Sequence, residues 1–170
     1  MKRIGLISDT HGFLDPKIEK YLSVCDEIWH AGDVGNYKVI EDLQKICPIV
    51  RCVYGNIDGQ EVRKTFPKNL RFFCEEVDVW MTHIGGYPNR YSPDVKEEIT
   101  KNPPKLFICG HSHILKVIYD KKLSLLHINP GAAGKSGFHK VKTIVRFSID
   151  KQTIKDLEII ELGNRVNIKV

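Results

Sequence analysis

No apolar run in this 170-residue chain approaches the roughly 20 residues needed to span a bilayer, which excludes a membrane-crossing helix. The start is basic and then apolar (Met1-Lys2-Arg3, then Ile4-Gly5-Leu6-Ile7). Its apolar stretch ends at Ser8-Asp9, short of the roughly 7–15 residues of a signal-peptide core. A buried first strand fits that segment better. None of the five cysteines (Cys25, Cys47, Cys52, Cys74, Cys109) pairs with another at CxxC spacing, so the sequence carries no zinc-ribbon or dithiol signature. Several sit inside apolar runs, which points to buried free thiols, a reducing compartment and hence the cytoplasm. Internal repeats, low-complexity tracts and linkers are also missing. One domain spanning residues 1–170 is therefore expected.

The composition is ordinary for a folded soluble chain, with 42% hydrophobic and 28% charged residues. The net charge of +5 suits an anionic substrate without naming one. Positive residues are scattered, with a loose cluster at Lys135, Lys140 and Lys142. They form no stripe of the kind a nucleic-acid surface needs, so nucleic acid and membrane are not expected as partners.

Hydrophobic periodicity divides the chain into two textures. Ile4–Ile7, Glu27–His30 and Ile49–Tyr54 read as strands. Between them lie helices at Pro16–Val24, with Asp15 placed to cap it, and at Val39–Ile46. This alternation implies parallel crossovers. The second half is strand-rich: Arg71–Cys74, Asp78–Thr82, Leu106–Cys109, Lys116–Tyr119, Ser124–Ile128, Lys142–Ile149 and Ile154–Glu161, with one short helix at Asp94–Thr100. The fold class is α/β, with two packed mixed sheets and helices outside. The tail Gly163–Val170 carries no pattern.

Five of the apolar strands end abruptly in polar clusters. Asp9-Thr10-His11-Gly12 follows the first strand and Gly32-Asp33 the second. Gly55-Asn56-Ile57-Asp58, His83 and Gly110-His111-Ser112-His113 follow three others. Taken singly, each fits a turn, a helix cap or a hydrogen-bonded core histidine as well as a ligand. Taken together, all five supply ligand-type atoms at strand carboxyl ends, where open α/β sheets bind ligands. The donors are carboxylate, imidazole and amide oxygen without thiolate. That set suits Mn²⁺, Fe²⁺, Zn²⁺ or Ni²⁺ and argues against structural zinc. One carboxylate can bridge two such ions about 3.5–4 Å apart, an arrangement that serves phosphate-ester hydrolysis.

These residues, in this order and with Asn129-Pro130-Gly131 trailing, resemble the calcineurin-like metallophosphoesterase superfamily. The opening Ile-Ser-Asp-Thr-His-Gly is similar to its compact YfcE-like phosphodiesterase branch. The resemblance implies a four-layer α/β/β/α sandwich and two divalent ions per chain, Mn²⁺ first among them. By matching motif, Asp9, His11 and His113 would hold one ion. Asn56, His83 and His111 would hold the other, and Asp33 would bridge. Water activated by the two ions would attack phosphorus in a small phosphate ester. Asn56 would also bind the substrate phosphate, and Asp58 would orient a histidine ring. Compact relatives of this kind often form dimers or tetramers, though no patch in the sequence marks an interface.

Three departures stand out. Ile57 occupies a position where many members have His, and it can neither protonate a leaving group nor bind phosphate. The stretch Ile84–Tyr91 is longer than usual and could cover the metals, with Arg90 on a phosphate and Tyr87 or Tyr91 stacked on a ring. Ala132 replaces a frequent Ser. His30 reads as structural, and His127 and His139 match no motif position. The alternative function is an interaction scaffold of the retromer-subunit type, which shares the fold with a degraded metal site. Retention of all seven ligand positions favours the enzyme.

Overall fold

A computed structural model describes residues 1–166. In chain order its elements are β1 (Lys2–Ile7), α1 (Lys17–Leu22), β2 (Glu27–His30), α2 (Tyr37–Ile46), β3 (Val50–Cys52), α3 (Gln60–Thr65), β4 (Asn69–Cys74) and β5 (Val77–Thr82). Then come β6 (Gly86–Tyr87), β7 (Arg90–Tyr91), α4 (Pro93–Lys101), β8 (Leu106–Ile108), β9 (Leu115–Asp120), β10 (Leu125–Pro130), β11 (Val141–Asp150) and β12 (Thr153–Asn164). Two five-stranded sheets run β12-β11-β1-β2-β3 and β4-β5-β8-β10-β9. Each is mixed. In the first, β1, β2 and β3 are parallel, and β11 pairs antiparallel with both β1 and β12. In the second, β5, β8 and β10 are parallel, with β4 and β9 antiparallel at the edges.

Three apolar clusters define four layers. Period-2 alternation sends Ile4 and Leu6 of β1 into the space between the sheets, where they meet Val79 and Met81 of β5 and Ile108 of β8. Ile7 instead joins Ile18, Leu22, Ile40 and Leu43 of α1 and α2 on the outer face. On the far side, Trp80 and Phe107 pack against Val95 and Ile99 of α4. The order is helices, sheet, sheet, helix: the α/β/β/α sandwich expected. The parallel strands of both sheets end on one edge, so the loops after β1, β2, β3, β5 and β8 converge there.

Helix ends follow local chemistry. Asn36 caps α2 by accepting from Lys38 N at 2.9 Å. Asp15 accepts from Lys17 N at 3.0 Å, but α1 begins at Lys17 and ends at Leu22, shorter than its apolar spacing suggested. The third strand also shrinks, to Val50–Cys52. Two features have no counterpart in the sequence reading: α3, and the hairpin of β6 and β7 inside the long stretch after His83. Gly163 and Asn164 finish β12, while residues 167–170 of the unpatterned tail lie outside the described residues. All five cysteines are free and buried.

Candidate metal centre

The loop after β1 carries Asp9 and His11, that after β2 carries Asp33, and that after β3 carries Asn56. The second sheet delivers His83 from β5 and His111 and His113 from β8. These side chains form two groups whose donor atoms all lie within 4.8 Å of one another: Asp9, His11 and His113, and Asp33, His83 and His111. Asn56 adjoins the second group, its Oδ1 standing 3.0 Å from His111 Nδ1. All seven expected ligand residues are thus together.

Each carboxylate is divided between protein and site. Asp9 Oδ2 accepts from Ser8 Oγ (2.7 Å) and His111 N (3.1 Å), leaving Oδ1 toward His113 Nε2 at 3.2 Å. Asp33 Oδ1 accepts from Ile57 N at 3.0 Å. Its Oδ2 lies 3.5 Å from His11 Nε2 and 3.2 Å from His83 Nε2, one residue from each group. A single oxygen therefore spans the two. Donors about 2.1 Å from a common ion stand about 3.0–3.4 Å apart; His113 to Asp9 and His83 to Asp33 lie at that spacing (3.2 Å each), while His11 Nε2 stands wider, 3.9 Å from Asp9 Oδ1.

The donor set fits divalent ions on an independent ground. Among the described residues, four buried side-chain polar atoms have no hydrogen-bond partner, and three of them are Asp9 Oδ1, His11 Nε2 and His83 Nε2. An unsatisfied buried polar atom costs about 1–3 kcal/mol, and these three point at one another. The backbone is strained in the same place. Among the described residues ten non-glycine positions have positive φ, and five of them are Asp9, His11, Asp33, His111 and His113. The glycines beside them make room: a Cβ on Gly32 would come within 2.6 Å of His83 Nδ1. One on Gly55 would strike the Asp33 carboxylate. The Gly-Asp and Gly-Asn dipeptides are therefore packing requirements of the site as well as turns.

The rings are oriented by partners the sequence did not reveal. His83 Nδ1 bonds Ala31 O at 2.7 Å, directing Nε2 inward. Burial opposes protonation of His83, but Asp33 and Asp9 outweigh it and raise its pKa. The Asp33 carboxyl is held low by His83 despite its own burial. His113 Nδ1 meets His139 Nδ1 at 3.3 Å, and His139 Nε2 donates to Gly134 O at 2.8 Å. That chain leaves His139 Nδ1 as acceptor, His113 Nδ1–H as donor and His113 Nε2 with its lone pair toward Asp9. His139 had no motif to mark it. Asn129 donates to Gly110 O (2.9 Å) and Ser112 Oγ (3.1 Å), clamping the His111–His113 turn.

Asp58 has other partners than the histidine ring expected of it. Its carboxylate accepts from Val34 N (3.2 Å), Gly35 N (2.7 Å) and Gly55 N (2.7 Å), tying the Asp33 loop to the Asn56 loop. These three backbone amides are its hydrogen-bond donors, none of them a ring N–H, so Asp58 positions loops. Arg63 of α3 completes the clamp by donating to Asp58 O (2.5 Å), Asn56 O (3.1 Å) and Gly55 O (3.2 Å). His30 is structural: Gly32 N donates to its Nδ1 at 3.1 Å, so Nε2–H faces Thr10 Oγ1 at 3.0 Å.

The stretch after His83 does not behave as a free cover. Tyr91 donates to Asp120 Oδ2 at 2.7 Å and packs on Phe107, which takes it out of ring stacking. Tyr87 bonds Ser112 Oγ, between the two site histidines, and its ring lies against His127. Arg90, paired with Tyr87 across the hairpin, is exposed and has no ion-pair partner among the described residues. Beside Asn56 and His83 opens a cavity of about 390 Å³ whose walls include apolar Tyr54, Ile84 and Pro93 and charged Arg63, Lys68 and Asp94.

A paired-sheet sandwich with such donors at converging strand ends defines a metallophosphoesterase scaffold. The chain belongs to the calcineurin-like phosphoesterase superfamily, whose domain model matches residues 1–152. It is 29% identical over 136 residues to the uncharacterized protein MJ1162 of Methanocaldococcus jannaschii, covering 66% of this chain and 61% of that protein. The match thus spans less than two thirds of that relative's length. Among solved structures it is similar to wild-type Vps29 of Entamoeba histolytica complexed with zinc (14% identity, TM-score 0.73, 94% of this chain and 98% of that one). It is also similar to a novel archaeal phosphodiesterase (22% identity, TM-score 0.67, 94% and 99%). At those identities the structural likeness speaks for the fold alone.

Proposed function

We propose that this protein is a metal-dependent phosphodiesterase acting on small phosphate esters, with Asp9, His11 and His113 holding one divalent ion, Asn56, His83 and His111 a second, and Asp33 bridging. The observation that carries the reading is the convergence of six donor residues in two groups, with Asn56 beside the second, and with three of their buried atoms lacking any hydrogen-bond partner among the described residues. Ions held there supply Lewis acidity toward a water and toward phosphoryl oxygens. Mixed oxygen and imidazole donors admit Mn²⁺, Ni²⁺, Zn²⁺ or Fe²⁺ alike, and Mn²⁺ is put first by the family resemblance alone.

The chain's own residues divide the remaining work. Asn56, which lines the 390 Å³ cavity, has an amide to offer the substrate phosphate. The apolar walls Tyr54, Ile84 and Pro93 receive an ester's organic group and keep water from it. Ile57 contributes its backbone amide to Asp33 and brings no acid to the leaving group, so esters of weakly basic alcohols are the better substrates. Arg90, exposed and paired with Tyr87 across the hairpin, is the cation this reading assigns to the substrate phosphate. The buried free thiols suit the cytoplasm.

The test is hydrolysis of bis(p-nitrophenyl) phosphate by metal-stripped protein, with and without Mn²⁺, beside Asp33→Asn prepared identically. Mn²⁺-dependent turnover that falls at least about 100-fold in the variant is expected, because the variant loses the bridging charge. Wild-type protein inactive with Mn²⁺, Ni²⁺ and Zn²⁺ alike would hand the fold to the scaffold reading.

A further inference from the structure

A second cavity, of about 600 Å³, has none of the seven metal-site residues on its walls and is lined by Lys17, Lys135, Lys142, Arg165, Asp15 and Phe13 among others. Two of the three lysines in the loose cluster seen in the sequence enter it. Lys140 remains exposed. Folding adds Lys17 from α1 and Arg165 from just beyond β12, neither of which is near the cluster in sequence.

The charges in this cavity do not balance. Lys142 is buried and ion-paired with Asp15, also buried. Lys17 Nζ donates to Leu162 O at 3.0 Å. Arg165 donates to His139 O (2.8 Å) and Lys135 O (3.3 Å). Lys135 Nζ sits 3.9 Å from the Phe13 ring centroid. Among the described residues, Asp15 is the single carboxylate facing these four cations. Their partners otherwise are neutral carbonyls and a ring, which accept hydrogen bonds without cancelling charge. Both ammonium groups that bond one acceptor keep two further N–H donors, and Lys135 keeps three. A concavity that gathers several cations around one carboxylate focuses a positive potential. A compact oxyanion with two charges and several acceptors relieves it best.

We propose that this cavity is a binding site for a phosphate group, separate from the donor groups that hold the ions. It adjoins them through segment 134–139. Gly134 N donates to Asp9 O at 3.1 Å, and Arg165 holds the carbonyl of His139, whose ring touches His113. The phosphate has two sources of the same chemistry: a second phosphate on a substrate whose diester lies at the metals, or free inorganic phosphate. Only the first source rests on the proposed phosphodiesterase activity.

The experiment is calorimetric titration of the full chain, as purified, with inorganic phosphate, alongside Lys135→Ala and Lys17→Ala. Phosphate held by any retained metal persists in all three proteins, so the cavity is read as the difference. Each variant is expected to weaken the site at least about fivefold, the loss of about 1 kcal/mol of charge attraction. No binding up to about 10 mM, or binding by both variants equal to wild type, overturns the proposal. The substrate arm compares KM for a dinucleotide with and without a terminal phosphate. A KM lowered by that phosphate in wild type but not in Lys135→Ala assigns the site to substrate. Equal KM values alongside phosphate binding assign it to free phosphate. Phosphate binding in a protein that hydrolyses no diester leaves the cavity standing and retracts the phosphodiesterase reading.

Discussion

His139 shows how much of the centre depends on residues that touch no ion-facing atom. Its ring accepts from His113 Nδ1–H and is itself fixed by Gly134 O. Burial lowers its own pKa, which keeps it neutral and able to accept. Without it, His113 can adopt the other tautomer or rotate. Removing such an outer partner typically costs about 10–100-fold in metal affinity. His139→Ala should therefore weaken one Mn²⁺ binding event by about that factor in calorimetry and leave the other near wild type. His139→Asn, which keeps an acceptor, should restore part of the loss. Equal affinities in wild type and His139→Ala would remove it from the centre. Gly32 makes the complementary point. Its φ of 95° and the nearness of His83 leave no room for a methyl group. Gly32→Ala should lower the free energy of unfolding by about 1–3 kcal/mol in urea titration, and also weaken metal binding by displacing His83.

At the scale of elements, legibility follows burial. Each candidate ligand ends a strand whose apolar run is plain in the sequence, so the five polar clusters could be placed on one edge before any coordinates. The helix α3 could not be read that way. It has six residues, one buried side chain (Val62) and no side-chain cap, too little periodicity to distinguish it from a loop. The β6–β7 hairpin consists of two-residue strands and is equally silent. The partners of His83 and Asp58 were hidden for another reason. They are backbone groups, which every sequence supplies everywhere. Yet α3 matters to the site, because Arg63 holds three carbonyls of the Asn56 loop and stacks on Tyr54 at 4.6 Å. Arg63→Ala should free that loop. With diester as substrate, KM should rise several-fold (about 1–2 kcal/mol), and the effect should persist in Arg63→Lys, whose point charge cannot replace the fork. Full recovery in Arg63→Lys would show that charge alone suffices.

Across the whole molecule, stability is coupled to pH through a histidine that lies in the core and binds no ion. His30 on β2 is fully buried, and burial pushes its imidazole down to about 4. In the unfolded chain it titrates near its ordinary value of about 6.5. Between those values the unfolded state binds a proton that the folded state refuses. The contribution of His30 is therefore fully present above about pH 6.5 and is lost as pH falls toward 4. Protonation would place a desolvated charge beside Thr10 and Gly32, offset only in part by the carboxylates of Asp58, Asp9 and Asp33, and would abolish the acceptor that Gly32 N uses. From pH 7 to pH 5 the loss attributable to this one group is about 2 kcal/mol, a large share of the roughly 5–15 kcal/mol that holds a domain together. Carboxylates titrate over the same range, so the measurement is comparative. Urea unfolding of metal-free protein at both pH values should show wild type losing about 2 kcal/mol more than His30→Gln, whose amide can donate to Thr10 without titrating. Metal must be absent, because ions bound by deprotonated histidines add their own pH dependence through mass action. Parallel losses in the two proteins would mean that His30 is protonated in the folded state at pH 5, and the β1–β2 loop junction would then be more open than its hydrogen bonds describe.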